Sequence, residues 1–177
     1  NLVRRMKTAA QYRVEMRDTP AELAFVSHSN GGVLALQAIR ELIRDGIAVR
    51  SLIMIAPAVR SGSTTREVAA WLESGMLGYA LLVRPMADTL IGGISKNWRT
   101  KLLAWPWGSL GIDGWATEEF QVPGLKFQVP ETIDLPAMGH TDPVAPKTRL
   151  WLYDSIIAPA LGLCPWGEVQ PNGEVEV

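Results

Sequence analysis

The 177-residue sequence has a single cysteine, Cys164, and only two histidines, His28 and His140. One thiol excludes an intramolecular disulfide and a thiolate metal cluster. Two imidazoles exclude any metal site that needs three, and neither a metal nor a cofactor is expected. Charge of one sign is also missing: 17 Lys and Arg stand against 18 Asp and Glu, for a formal net charge of -1. The chain therefore lacks the basic footprint that nucleic acid or an anionic membrane surface requires. Charged residues, Gly or Pro interrupt every hydrophobic segment, so no run approaches the ~18 to 20 apolar residues of a membrane span. The basic start, residues 1–18, carries Glu15 and Asp18 and has no central apolar block, which argues against a secretory or transit signal. The compartment stays open.

The length suits one domain with a sizeable core, and neither an internal repeat nor a low-complexity linker divides it. Leu2, Val3, Met6, Ala9 and Ala10 lie at helical spacing with Arg4, Arg5 and Lys7 on the other side, which predicts an amphipathic helix ending before Asp18-Thr19-Pro20. "ELAFVS" (22–27) reads as a strand, and its unbroken apolar run fits one covered on both faces. From Asn30 to Asp45 the period becomes helical: Val33, Leu36, Ile39 and Ile43 form a stripe that Ala35, Ala38 and Leu42 widen. Gly46 suits its left-handed cap. A second strand, "VRSLIMIAPA" (49–58), is stopped by Pro57. A helix follows over 64–75 with Thr64 or Thr65 as its N-cap, and then a third strand, "YALLVRP" (79–85). Such alternation predicts an α/β fold, a mostly parallel sheet with helices on both faces. Residues 98–124, rich in Trp, Gly and Pro, read as loop with short helices in which Trp105, Trp107 and Trp115 pack over a core edge. "ETIDLP" (131–136) reads as a fourth strand and residues 147–161 as a closing helix. The domain thus spans 1–162, and 163–177 is an irregular tail in which Cys164 is a small buried hydrophobe.

The stretch "SHSNGG" (27–32) lies where the first of these strands meets its helix. A parallel strand that feeds a helix through a tight Gly-rich turn exposes the turn residue at the carboxyl edge of the sheet, where open α/β folds bind ligands. Ser29 is that residue. The turn holds it in a strained backbone conformation, so Ser27 and Gly31 must be small enough for strand and helix to approach. This is the nucleophile-elbow pattern G-x-S-x-G with Ser27 in the place of the first glycine. The helix beginning at Asn30 adds the positive end of its dipole, and the Asn30 amide is one of two donors for an oxyanion. His28, by strand alternation, points away from Ser29 into the packing beneath.

With the elbow "SHSNGG", the acidic "MADTL" and the histidine in "MGHTDP" in the order Ser, Asp, His, residues 1–162 resemble the C-terminal part of an α/β-hydrolase. The resemblance implies a serine hydrolase that cleaves a carboxylic ester or related acyl bond of a small-molecule or lipid-like substrate, through an acyl-enzyme on Ser29. It implies the acid just after the third strand, where Asp88 stands, and the catalytic histidine in the loop before the final helix, where His140 stands. A serine hydroxyl is a weak nucleophile that needs an imidazole to take its proton, and the imidazole needs a carboxylate to set its tautomer. His140 is the only imidazole left for that role. Asp113, Asp134 and Asp142 compete with Asp88 as the acid. Only 28 residues precede Ser29, whereas the fold it resembles places several strands and a second oxyanion donor ahead of the elbow. The expectation is an N-terminally truncated hydrolase, or one in which a partner chain covers the open sheet edge. A non-catalytic module on the same scaffold, serving binding or assembly, is the alternative.

Overall fold

The computed structural model describes residues 23–90, 110–116 and 130–163. In chain order the elements are β1 (Ala24–His28), α1 (Gly31–Arg44), β2 (Val49–Ile55), α2 (Ser61–Glu73), β3 (Leu77–Pro85), the single turn α3 (Leu110–Asp113) and β4 (Glu131–Leu135). After a 3-10 turn (Asp142–Val144), α4 (Arg149–Leu152) runs through a π-helical segment (Tyr153–Ile157) into α5 (Ala158–Ala160). The four strands form one sheet in the order β1-β2-β3-β4, and every neighbouring pair is parallel. This is an α/β arrangement, with the strand order equal to the chain order.

Strand alternation sorts the apolar residues of β2 and β3 to the two faces of the sheet. Leu52, Met54, Ala80 and Leu82 join Ala35, Leu36, Ile39 and Leu42 of α1 and Val68 and Trp71 of α2 in one core, which Leu110 and Trp115 complete. Ile53, Ile55, Leu81 and Val83 face the opposite way and pack with Leu135, Leu152 and Ile156. Helices therefore cover both faces, and the unbroken apolar runs of the two central strands follow from that double burial.

β1 departs from the expectation of double coverage. Ala24 and Val26 are exposed, Val26 at 47%, because among the described residues β1 is an outer strand with β2 as its neighbour. The predicted helix before it lies in residues 1–22, outside the described ones, as do Trp105, Trp107 and Cys164. Trp115 is buried in the first core and donates its indole N–H to the Glu131 carbonyl.

Helix ends follow the local chemistry. Past α1, Gly46 takes φ +75° and returns its N–H to the Ile43 carbonyl, as a left-handed terminal glycine does. α2 starts at Ser61, before the threonines predicted to cap it. Both are buried inside the helix, where the Thr65 hydroxyl donates to the Ser61 carbonyl and accepts the Ala116 N–H. The closing helix is wound wider over Tyr153–Ile157. Pro159 lies just beyond, and having no N–H it removes the regular partner of the carbonyl four residues back.

Side-chain pairs join neighbouring elements. Arg40 of α1 and Glu67 of α2 form a bidentate ion pair. Arg84 and Asp134, which are register partners on β3 and β4, form another, both contacts at 2.7 Å. Tyr79 donates its hydroxyl to Glu131 at 2.6 Å. Burial first, then the bond to the Glu131 carboxylate, hold the phenol above its ordinary value.

The packing and the ion pairs differ in worth. Leu81→Ala, at a wholly buried position, is expected to cost roughly 2–5 kcal/mol in urea unfolding. Arg40→Ala, which breaks a pair whose arginine side chain is 49% exposed, is expected to cost less than about 1 kcal/mol. Equal losses would mean that the α1–α2 ion pair, rather than the double-faced core, carries the stability of this sheet.

Candidate active site

Parallel strands in chain order bring all their carboxyl ends to one edge. The segments leaving β1, β3 and β4 there carry Ser29, Asp88 and His140.

The turn after β1 is set by backbone geometry. Ser29 has φ +52°, in the left-handed region that a side chain disfavours. Backbone bonds hold it: on the β2 side its N–H donates to the Ile55 carbonyl at 3.0 Å and its carbonyl accepts from Ala58 at 3.2 Å, and from α1 the carbonyl accepts the Gly32 N–H at 3.0 Å. Ala56, at the end of β2, also takes a positive φ, +44°, and donates its N–H to Val83 at 2.9 Å. Two adjacent strand ends thus bend sharply side by side.

The residues around the turn fit it with one shift of emphasis. Ser27 is buried and its hydroxyl donates to the Ile53 carbonyl at 3.4 Å, so a serine in the first motif position is accommodated by a bond to the next strand. A Cβ added at Gly31 would meet the Ser27 Cβ at 3.7 Å, an ordinary contact, whereas one at Gly32 would meet the Pro57 Cβ at 3.4 Å. The closer approach is at Gly32, where α1 passes the segment after β2. Asn30 occupies the N-cap position of α1 in helical conformation, without a side-chain cap bond. In the first turn of α1 the Gly32 N–H closes onto the Ser29 carbonyl and the Val33 N–H onto the Asn30 carbonyl, which sets the start of the helix beside Ser29.

Asp88 and His140 follow the turns that leave β3 and β4. Beyond the register pair Pro85 and Leu135, Met86 donates to the Leu135 carbonyl and Ala87 to the Met138 carbonyl, both at 3.0 Å. Two backbone bonds thus join the turn before Asp88 to the segment before His140. The Asp88 side chain has no exposed surface and the His140 ring 10%.

One chain of hydrogen bonds links the three side chains. His140 Nδ1 lies 2.6 Å from Asp88 Oδ2, and His140 Nε2 lies 3.0 Å from Ser29 Oγ. A carboxylate oxygen accepts, so Nδ1 carries the ring hydrogen; Nε2 of the neutral ring then accepts the serine hydroxyl. Such an arrangement can draw a proton from a hydroxyl while the carboxylate stabilises the imidazolium that forms. The competing acids lie elsewhere: Asp134 is paired with Arg84, Asp113 is exposed, and Asp142 Oδ2 accepts the Gly139 N–H at 2.7 Å.

His28 is where the sequence reading misplaced a side chain. Instead of pointing into the packing beneath, its ring lies against that of His140, with centroids 5.0 Å apart, and its Nε2 is 2.8 Å from the His140 carbonyl oxygen. Alternation fails as a guide because His28 is the last residue of β1, where the chain turns into the left-handed residue that follows. The signal available in the sequence was its adjacency to Ser29. Among the described residues, no three His, Cys, Asp or Glu side chains group to hold a metal ion, and no helix is long and apolar enough to cross a membrane.

Backbone strain at residue 29 has a measurable consequence. Ser29→Gly removes the left-handed penalty while Ser29→Ala keeps it, so the glycine variant is expected to be the more stable by about 1 kcal/mol. Urea midpoints at matched slope test this, and equal midpoints would mean that the turn relaxes to an unstrained conformation. Comparison of the chain with protein-family models, with curated proteins and with solved structures finds no match.

Proposed function

We propose that this chain is a serine hydrolase of the α/β-hydrolase type, which cleaves a carboxylic ester or related acyl bond through an acyl-enzyme on Ser29. One observation carries the proposal: the unbroken series Asp88, His140, Ser29 at 2.6 and 3.0 Å, ending on a serine with φ +52° between a parallel strand and a helix. An ordinary strand-to-helix turn requires neither a buried carboxylate nor an imidazole aimed at its hydroxyl.

In the proposed reaction, Ser29 Oγ attacks the substrate carbonyl carbon as its proton passes to His140 Nε2. The imidazolium is stabilised by Asp88 through Nδ1. The oxyanion of the tetrahedral intermediate is met by the Asn30 amide at the start of α1, where the helix dipole favours negative charge. Collapse expels the leaving group, which takes the proton from His140, and leaves the acyl group on Ser29. A water molecule, deprotonated by the same imidazole, then attacks the acyl carbonyl and frees the serine.

A fluorophosphonate probe, which reacts with an activated serine, tests the assignment. Wild-type protein is expected to be labelled, Ser29→Ala and His140→Ala to be unlabelled, and Asp88→Asn to react roughly 10⁴-fold more slowly, because an amide in place of the carboxylate favours the wrong imidazole tautomer. Asp134→Asn, which disturbs the Arg84 pair far from the serine in the bonding pattern, is expected to keep wild-type labelling. A folded wild-type protein that resists the probe would overturn the proposal and favour a binding or assembly module on the same scaffold.

A further inference from the structure

The hydrogen bonds of the His140 ring are both committed, one to Asp88 and one to Ser29. What remains to hold this residue is its main chain. The loop is tied at Met138 by the Ala87 N–H, and Asp142 accepts the Gly139 amide. The carbonyl of His140 itself is met by His28 Nε2 at 2.8 Å. A carbonyl oxygen only accepts, so His28 is held as the tautomer, or the cation, that carries hydrogen on Nε2.

From this geometry we infer that His28 is a positioning residue for His140: a side-chain donor from the strand that bears the serine anchors the loop that bears the imidazole. The peptide after His28 belongs to Ser29, whose N–H and carbonyl are pinned to the β2 side. The spacing between Ser29 Oγ and His140 Nε2 is therefore closed through a short ring of bonds: Ser29, the His28 backbone and side chain, the His140 carbonyl, and the His140 ring. Without the His28 donor, that spacing depends on the Asp88 bond to the ring and on the ties at Met138 and Gly139, all of which lie on the β3–β4 side. The half-buried His28 ring, packed at 47° to the ring of His140, also limits tilting of the imidazole. The kinetic consequence rests on the hydrolase proposed above, whereas the anchoring itself does not.

Three variants separate the donor from the packing. His28→Phe keeps a ring without the donor, His28→Gln keeps a terminal N–H at similar reach, and His28→Ala removes both. Amide hydrogen exchange over residues 136–148 is expected to speed up about tenfold in the Phe and Ala variants, the equivalent of one net hydrogen bond, and to stay near wild type in the Gln variant. With a chromogenic ester, kcat is expected to fall at least tenfold in the Phe variant with KM within twofold of wild type, and the Gln variant to recover most of the loss. Wild-type exchange in the Phe variant, or a Gln variant as impaired as the Phe variant, would overturn the inference. If the wild-type protein hydrolyses no ester and resists the probe, the proposed function fails, but the exchange measurement still decides whether His28 anchors the loop.

Discussion

Burial of one carboxylate constrains this site more than any other feature. Asp88 has no side-chain surface in contact with water, and an uncompensated buried charge costs several kcal/mol even after relaxation. Its oxygens need donors, and His140 Nδ1 at 2.6 Å is one. The fold meets the requirement with two turns that leave adjacent strands. The Asp88 N–H closes onto the Pro85 carbonyl and the Met138 N–H onto the Leu135 carbonyl, while bonds from Met86 and Ala87 to Leu135 and Met138 join one turn to the other. The Asp88–His140 contact thus lies just past the end of the β3–β4 pairing, and the two joined turns set the place of the imidazole.

The serine is delivered by the opposite means. Ser29 is forced into a conformation that L residues disfavour, and it persists because β2 bonds its amide while the segment after β2 and the start of α1 bond its carbonyl. β2 contributes no side chain to the hydrogen-bonded series, yet its end holds the turn through Ile55 and Ala58. Strain on one side and a paired buried charge on the other are set by packing around the two cores, which leaves the side chains little reorganisation to perform.

Much of this was legible in the sequence because its signals were local and unconflicted. β2 and β3 show as uninterrupted apolar runs since both faces are covered, and α1 shows because its apolar stripe and its terminal Gly46 agree. His140 was readable because the sequence offers only two imidazoles, whereas Asp88 had to be chosen over Asp113, Asp134 and Asp142 by its place just after the third strand. Where tertiary contacts overrule local preference, the pattern misleads. Thr64 and Thr65 resemble caps, but burial and the Ala116 contact draw them into the helix. The apolar run of β1 resembles that of a central strand, yet Val26 is exposed. His28 obeys a turn rather than strand alternation, and its carbonyl partner, 112 residues away in sequence, leaves no local trace.

The width of the sheet separates the serine from the imidazole. With adjacent strands about 4.8 Å apart, β1 and β4 are separated by about 14 Å across the sheet, yet the hydroxyl of Ser29 and the ring of His140 stand 3.0 Å apart. The chain after β4 must therefore reach back over the ends of β3 and β2 before it can turn into the closing helix. The path is folded rather than taut: the Met138 N–H closes onto the Leu135 carbonyl at 3.2 Å and the Asp142 N–H onto the Gly139 carbonyl at 3.3 Å, so the side chains of Ser29 and His140 span part of the gap themselves. Ties hold the loop in order along this path: Ala87 at Met138, Asp142 at Gly139, and His28 at the carbonyl of His140. The last tie comes from the strand the loop is reaching toward, which is why a residue beside the serine takes part in orienting the imidazole.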